Sequence, residues 1–167
     1  HYKYVRISMH AAMKMAEHAA DGGTLEVMGM LIGEVRDQTF IVKDSFPLPV
    51  VGTETRVNPQ NEAYEYMVQY IAHFNRSSTR GNIVGWYHSH PGYGCWLSGI
   101  DVDTQSQNQE FQDPFIAIVI DPTKSLANGK LDIGAFRTVS TPSLATQDQS
   151  ADMGIHSDRY YSLSVSI

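Results

Sequence analysis

The stretch from Ile83 to Asp101 constrains the fold of this chain more than any other. Ile83–His90 is apolar until its end, where two histidines stand at i and i+2, and Pro91 closes it. In a strand, alternate side chains share a face, so His88 and His90 present two imidazoles to one point. A loop with two glycines follows, and then Ser98-x-x-Asp101, which starts a helix running to about Gln112. Strand, short loop and helix start thus bring His88, His90 and Asp101 toward one another. Two imidazoles and a carboxylate, with a fourth position left for water, are what a catalytic zinc requires. Each element has a plainer reading when taken singly. Ser98-x-x-Asp101 alone is a capping box, and a histidine pair at a strand end is more often hydrogen-bonded than metal-bound. Their conjunction across one short loop favours the metal.

The rest of the chain alternates helix and strand patterns without a strict βαβ repeat. Ser8 caps a helix running to Asp21, where Gly22-Gly23 stops it. Leu25–Val35 and Thr39–Phe46 read as a hairpin turned at Asp37-Gln38, and Pro47 and Pro49 end the second strand. Val51–Asn58 has no periodicity and reads as a loop. Asn58-Pro59 is a capping residue followed by proline at the first helical position, and Ala63, Met67, Tyr70, Ile71 and Phe74 then share a stripe. Phe115–Ile120 is a continuous apolar strand, expected to be buried on both faces. Asp121-Pro122 turns the chain into a strand at Leu131–Thr138, and Tyr160–Ile167 is the last strand. Ser140–Asp158 is rich in Ser, Thr, Asp and Gln and reads as a flexible insertion. The fold class expected is α/β (α+β), one domain over residues 1–167 with a mixed central sheet flanked by helices.

Composition excludes several function classes. With 167 residues, 42% apolar and 18% charged, the chain has the makings of an ordinary globule. A net charge of −6 argues against nucleic acid as the main partner. No apolar run approaches the ~20 residues of a membrane helix, so no membrane association is expected. No charged-then-apolar leader precedes the first helix, so no secretory signal is expected either. Cys95 is the only cysteine, which leaves no intrachain disulfide and suits a reducing compartment.

Amide hydrolysis at such a centre also needs a proton acceptor, and Glu26, a carboxylate in an otherwise apolar strand, is the candidate. Its plainer reading is an exposed strand start. Gly29 and Gly33 leave room for close backbone approach nearby. Cys95 offers a thiol-protease alternative with His88 or His90 as base, against the plainer reading of a small residue packing the loop. That alternative leaves Asp101 without a role. A zinc deaminase is disfavoured, because no Pro-Cys-x-x-Cys follows the histidines.

Glu26, then His88-Ser89-His90, seven residues, Ser98, two residues and Asp101 resemble the JAMM metalloprotease motif of the MPN domain family. Gly-Trp-Tyr-His-Ser-His-Pro-Gly and Gly-Cys-Trp-Leu-Ser-Gly are shared with the proteasome-lid branch. Gly52–Asn58 and Ala63–Met67 are more similar to the branch that serves the COP-nine signalosome. The resemblance covers about residues 2–138 and 160–165 and fails over 140–158. It implies cytidine-deaminase-like layering and zinc (Zn2+) held by His88, His90 and Asp101. It further implies Glu26 as general base and Ser98 as hydrogen-bond donor to the oxyanion. The reaction implied is isopeptide hydrolysis, removing a Nedd8-type ubiquitin-like modifier from cullin lysines. The partners implied are other signalosome subunits, a partner MPN subunit above all, in cytoplasm and nucleus. Residues 51–60 would be a regulatory insertion, with Glu54, Thr55 and Arg56 closing the site in the isolated subunit. Glu54 would then take the water position and Arg56 would pair with Asp101; the plainer reading is a solvated loop. A deubiquitinase of the proteasome-lid type, or a non-catalytic MPN scaffold, remains open. The first helix, rich in alanine and methionine, suits a partner helix or its own sheet.

Overall fold

The structure is a computed structural model that describes residues 1–52, 59–77, 81–139 and 158–167. Its strands are β1 (Tyr4–Ile7), β2 (Glu26–Arg36), β3 (Thr39–Gly52), β4 (Asn82–Ser89), β5 (Ile116–Asp121), β6 (Asp132–Thr138) and β7 (Tyr160–Ser166). Its helices are α1 (Met9–Asp21), α2 (Pro59–Ser77), α3 (Gly99–Phe111) and α4 (Pro122–Asn128). The strands pair in the order β1-β3-β2-β4-β5-β6-β7, and β7 pairs back onto β1, so the mixed sheet closes into a barrel. The mixed α/β class expected from the sequence is what the structure shows.

Two apolar cores lie on opposite faces of this sheet. α1 buries Ala11, Ala12, Met15 and Ala19 against Val5, Leu31, Tyr87, Ile116, Ile118 and Ile120. On the other face Met67 and Ile71 of α2 and Val102 of α3 meet Met30, Trp86, Ala117 and Val119. Successive residues of β5 therefore serve alternate cores, and all six are buried. This is why its sequence shows no polar alternation. α1 thus packs on its own sheet, while Met9 and Met13 remain exposed on its outer side.

Several boundaries differ from the sequence reading. β3 runs through Pro47 and Pro49 to Gly52, pairing Pro47 with Gly29 and Val51 with Val27. Prolines two apart lack their N–H on the same edge. β3 pairs with β1 only over Thr39–Val42, so the ladder to β2 survives. β1 was not legible in its own residues, because four residues gain a strand only from parallel partners far away in sequence. α4 replaces the simple turn expected at Asp121-Pro122. Asp121 caps it, accepting from the N–H groups of Thr123 and Lys124, with Pro122 in the first turn. The polar residues Gln105 and Asn108 of α3 are buried, not solvated. The expected insertions fall largely outside the described residues: Glu54, Thr55 and Arg56 lie among 53–58, and 140–157 are likewise not described.

The room expected at Gly29 and Gly33 is used. A Cβ at Gly33 would stand 1.9 Å from the carbonyl oxygen of Ile41, and one at Gly29 2.3 Å from the Tyr87 ring. Gly33→Ala is therefore expected to destabilise the fold by about 1–3 kcal/mol through overpacking. A urea midpoint equal to that of the wild type would contradict this.

Candidate metal centre

His88 is the penultimate residue of β4 and His90 follows its end, so both project from the centre of the sheet. Trp86, on the same face as His88, stacks on its ring with centroids 4.5 Å apart. The Trp86 indole N–H donates to Gln105 Oε1 at 2.8 Å, and Gln105 Nε2 donates to the Phe115 carbonyl at 2.9 Å. The buried amide of α3 thereby fixes the wall against which His88 rests. His90 donates its own backbone N–H to Ile120 at 2.9 Å, which ties it to β5.

Three ligand atoms meet. His88 Nε2 lies 3.1 Å from His90 Nε2 and 3.1 Å from Asp101 Oδ2, and His90 Nε2 lies 3.2 Å from the same oxygen. Four ligands about 2.0–2.1 Å from a tetrahedral zinc stand about 3.3 Å from one another, so this triangle matches one face of such a shell. All three residues are buried. Among the described residues this is the one group of three His, Cys, Asp or Glu side chains that could hold a metal ion.

The carboxylate of the group is held ionised by its partners. Burial pushes the Asp101 carboxyl up, but His88 and then His90 outweigh it and hold the group well below the carboxylate range. Burial lowers the His88 imidazole, yet the Asp101 carboxylate, with a smaller contribution from Glu26, raises it above its ordinary value. His90 Nδ1 is 3.0 Å from the Gly94 carbonyl. That oxygen can only accept, so Nδ1 carries a proton, and in the neutral ring Nε2 is then the lone-pair nitrogen.

The Ser98 reading and the Asp101 reading prove to be one arrangement. Ser98 caps α3, its hydroxyl accepting from Asp101 N–H at 3.2 Å, and Ser98 N–H donates to Asp101 Oδ2 at 3.0 Å. The oxygen of the capping box is therefore the oxygen of the ligand triangle. The Ser98 hydroxyl still has its own proton to donate. Glu26 begins β2. Met28 pairs with His88, so Glu26, two residues earlier on the same face, comes level with His90. The neighbouring backbone is locked there, since Val27 N–H donates to Ser89 Oγ at 2.9 Å.

Tyr93 and Trp96 were not singled out in the sequence. The Tyr93 ring stacks on His90 at 4.5 Å, its hydroxyl donates to Glu26 Oε1, and Trp96 meets His90 edge-on at 5.4 Å. The available signal was two aromatics in a loop between ligands, a pattern with no spacing rule. Cys95 behaves as a packing residue. Its thiol donates to the Asp132 carbonyl at 3.4 Å, and burial, with help from Asp132, pushes its pKa up to about 12. Folding thus suppresses the thiolate near neutral pH and unfolding restores it. Iodoacetamide at pH 8 is expected to label Cys95 at least about tenfold more slowly in the folded than in the urea-unfolded chain; equal rates would revive a thiol mechanism.

A sheet with helices on both faces and a His-His-carboxylate triangle at the end of its central strands defines an MPN-type protein. Residues 1–114 match the family described as JAB1/Mov34/MPN/PAD-1 ubiquitin protease, and the chain belongs to that family. Across nearly its whole length it is similar to subunit 5 of the COP9 signalosome complex. The protein of that name from Yarrowia lipolytica is 55% identical over 179 residues, which span 99% of this chain and 51% of the relative. The one from Gibberella zeae is 55% identical over 178 residues, spanning 99% and 52%. Subunit 5a of Arabidopsis thaliana is 51% identical over 176 residues, spanning 99% and 49%. The chain spans about half the length of the curated relatives it matches.

Proposed function

We propose that this chain is a zinc-dependent isopeptidase that removes a Nedd8-type modifier from cullin lysines as part of a COP9 signalosome. The observation that carries the reading is the buried triangle of His88 Nε2, His90 Nε2 and Asp101 Oδ2. Its donor set of two neutral-capable imidazoles and an ionised carboxylate is that of a catalytic zinc, with one position left open. The signalosome assignment is supported by the named relatives. The exposed Met9 and Met13 on α1 offer a face for a partner MPN subunit.

The roles follow from the chain's own groups. His88, His90 and Asp101 would hold the metal, which when bound supplies Lewis acidity toward water and the scissile carbonyl. Glu26, level with His90, accepts the proton of the attacking water and returns it to the departing lysine amine. The Ser98 hydroxyl donates to the oxygen that gains charge as the carbonyl becomes tetrahedral. Tyr93 and Trp96 cover His90 and limit water at the site.

Glu26→Gln should keep stoichiometric zinc and lose at least about a hundredfold in kcat, within the range attributed to a general base. A variant that cleaves a cullin–modifier conjugate at the wild-type rate in an assembled complex would remove Glu26 from the mechanism. Cleavage of polyubiquitin and not of the cullin conjugate would move the chain to the proteasome-lid branch. The proposed gate is tested separately. In the isolated subunit, Glu54→Ala should accelerate cleavage of a minimal modifier substrate, and no change would show that the loop does not close the site.

A further inference from the structure

The loop between the histidines and α3 is held by a carboxylate that the proposed chemistry does not use. Gly92 and Gly94 both have left-handed backbones, with φ 90° and 87°, and Tyr93 stands between them. Gly92 N–H donates to Asp121 Oδ1 at 2.9 Å and Gly94 N–H to Asp121 Oδ2 at 2.8 Å. Asp121 is the last residue of β5 and is fully buried. Burial pushes its carboxyl up, but hydrogen bonds from four backbone N–H groups outweigh this and hold it below its ordinary value, so it stays ionised.

Its two oxygens are used differently: Oδ1 serves the α4 cap and Gly92, and Oδ2 serves Gly94. Capping α4 engages Oδ1 alone, which takes Thr123 N–H and Lys124 N–H, both at 3.0 Å. The recorded bond of Oδ2 goes to Gly94, which a helix cap does not require. Gly94 is the residue whose carbonyl accepts from His90 Nδ1. The path from Asp121 to the ligand triangle is therefore two hydrogen bonds long and crosses a single residue.

We propose that Asp121 is a positioning residue of the metal centre: it clamps the loop on both sides of Tyr93 and holds the Gly94 carbonyl that fixes His90 with Nε2 aimed at the metal. The inference rests on the metal reading given above. Groups that orient a ligating histidine typically change metal affinity about 10- to 100-fold when removed, which sets the size of the effect. The same clamp sets the Tyr93 ring over His90 and its hydroxyl on Glu26.

Asp121→Asn isolates the Gly94 bond. The amide oxygen can replace Oδ1, while the NH2 group then faces Gly94 N–H, so the cap and the Gly92 bond survive and the Gly94 bond is lost. Ser125→Ala is the control. Its hydroxyl donates to the Asp121 carbonyl at 2.6 Å and accepts from Asp132 N–H at 2.8 Å, so the change loosens α4 while removing neither Asp121 bond to the loop. Zinc affinity is measured on the purified proteins by competition with a chromophoric chelator, and the visible spectrum is recorded with cobalt in place of zinc. Asp121→Asn is expected to raise the zinc Kd about 10- to 100-fold and to alter the cobalt bands, while Ser125→Ala leaves both near wild type. Unchanged affinity in Asp121→Asn, or equal loss in both variants, overturns the proposal. A wild type that binds no zinc overturns the metal reading itself, a different result. If Asp121→Asn does not fold, hydrogen exchange in the wild type decides. Gly94 N–H should be protected like a core strand amide, and exchange as fast as an open loop would overturn the clamp.

Discussion

Burial of β4 and β5 on both faces is the constraint on which the rest of this structure depends. Trp86 and Tyr87 point to opposite cores, and so do the odd and even residues of β5. Two strands enclosed in this way cannot shift register by one residue without exchanging every side chain between cores. His88 pairs with Met28 on one side and Val119 on the other, so its position inherits that rigidity. A metal centre needs ligand atoms held to a few tenths of an ångström, and strand ends held by two cores provide such a platform.

The electrostatics of the centre converge on one atom. Asp101 Oδ2 faces both histidine Nε2 atoms and accepts the backbone N–H of Ser98. Removing such a carboxylate from water is costly, and the structure offsets the cost by giving the charge several partners. Burial and charge oppose each other at both Asp101 and His88, and at both the opposite charge wins. Asp121 solves the same problem differently, with backbone N–H groups alone as recorded partners. One buried carboxylate faces the imidazoles and the other shapes the loop behind them.

Much of this was legible in the residues, for identifiable reasons. The convergence of the candidate ligands could be read because i, i+2 histidines and a helix-start aspartate are governed by local geometry, which sequence spacing records. Ser8 and Ser98 announced their helices through capping chemistry. The Asp121-Pro122 pair carried the same kind of signal as Asn58-Pro59, and α4 could have been read from it. Tyr93 and Asp121 were harder. Their importance lies in contacts to Glu26, Gly92 and Gly94, and a contact distant in sequence leaves no periodicity behind.

The sequence by itself determined the chemistry on offer: two imidazoles, a capping carboxylate and a candidate base, each on an element whose type could be named. It also presented the capping box and the ligand role of Asp101 as rivals. Only the tertiary structure showed that one oxygen stands in both arrangements, because lone pairs on a single carboxylate oxygen can meet a backbone N–H and face two imidazoles at once. Closure of the barrel, with β1 and β7 pairing across nearly the full chain, was likewise decided in three dimensions. Strand pairing joins backbones through groups that every residue carries, so the choice of partner rests on the packed cores and not on the strand's own letters.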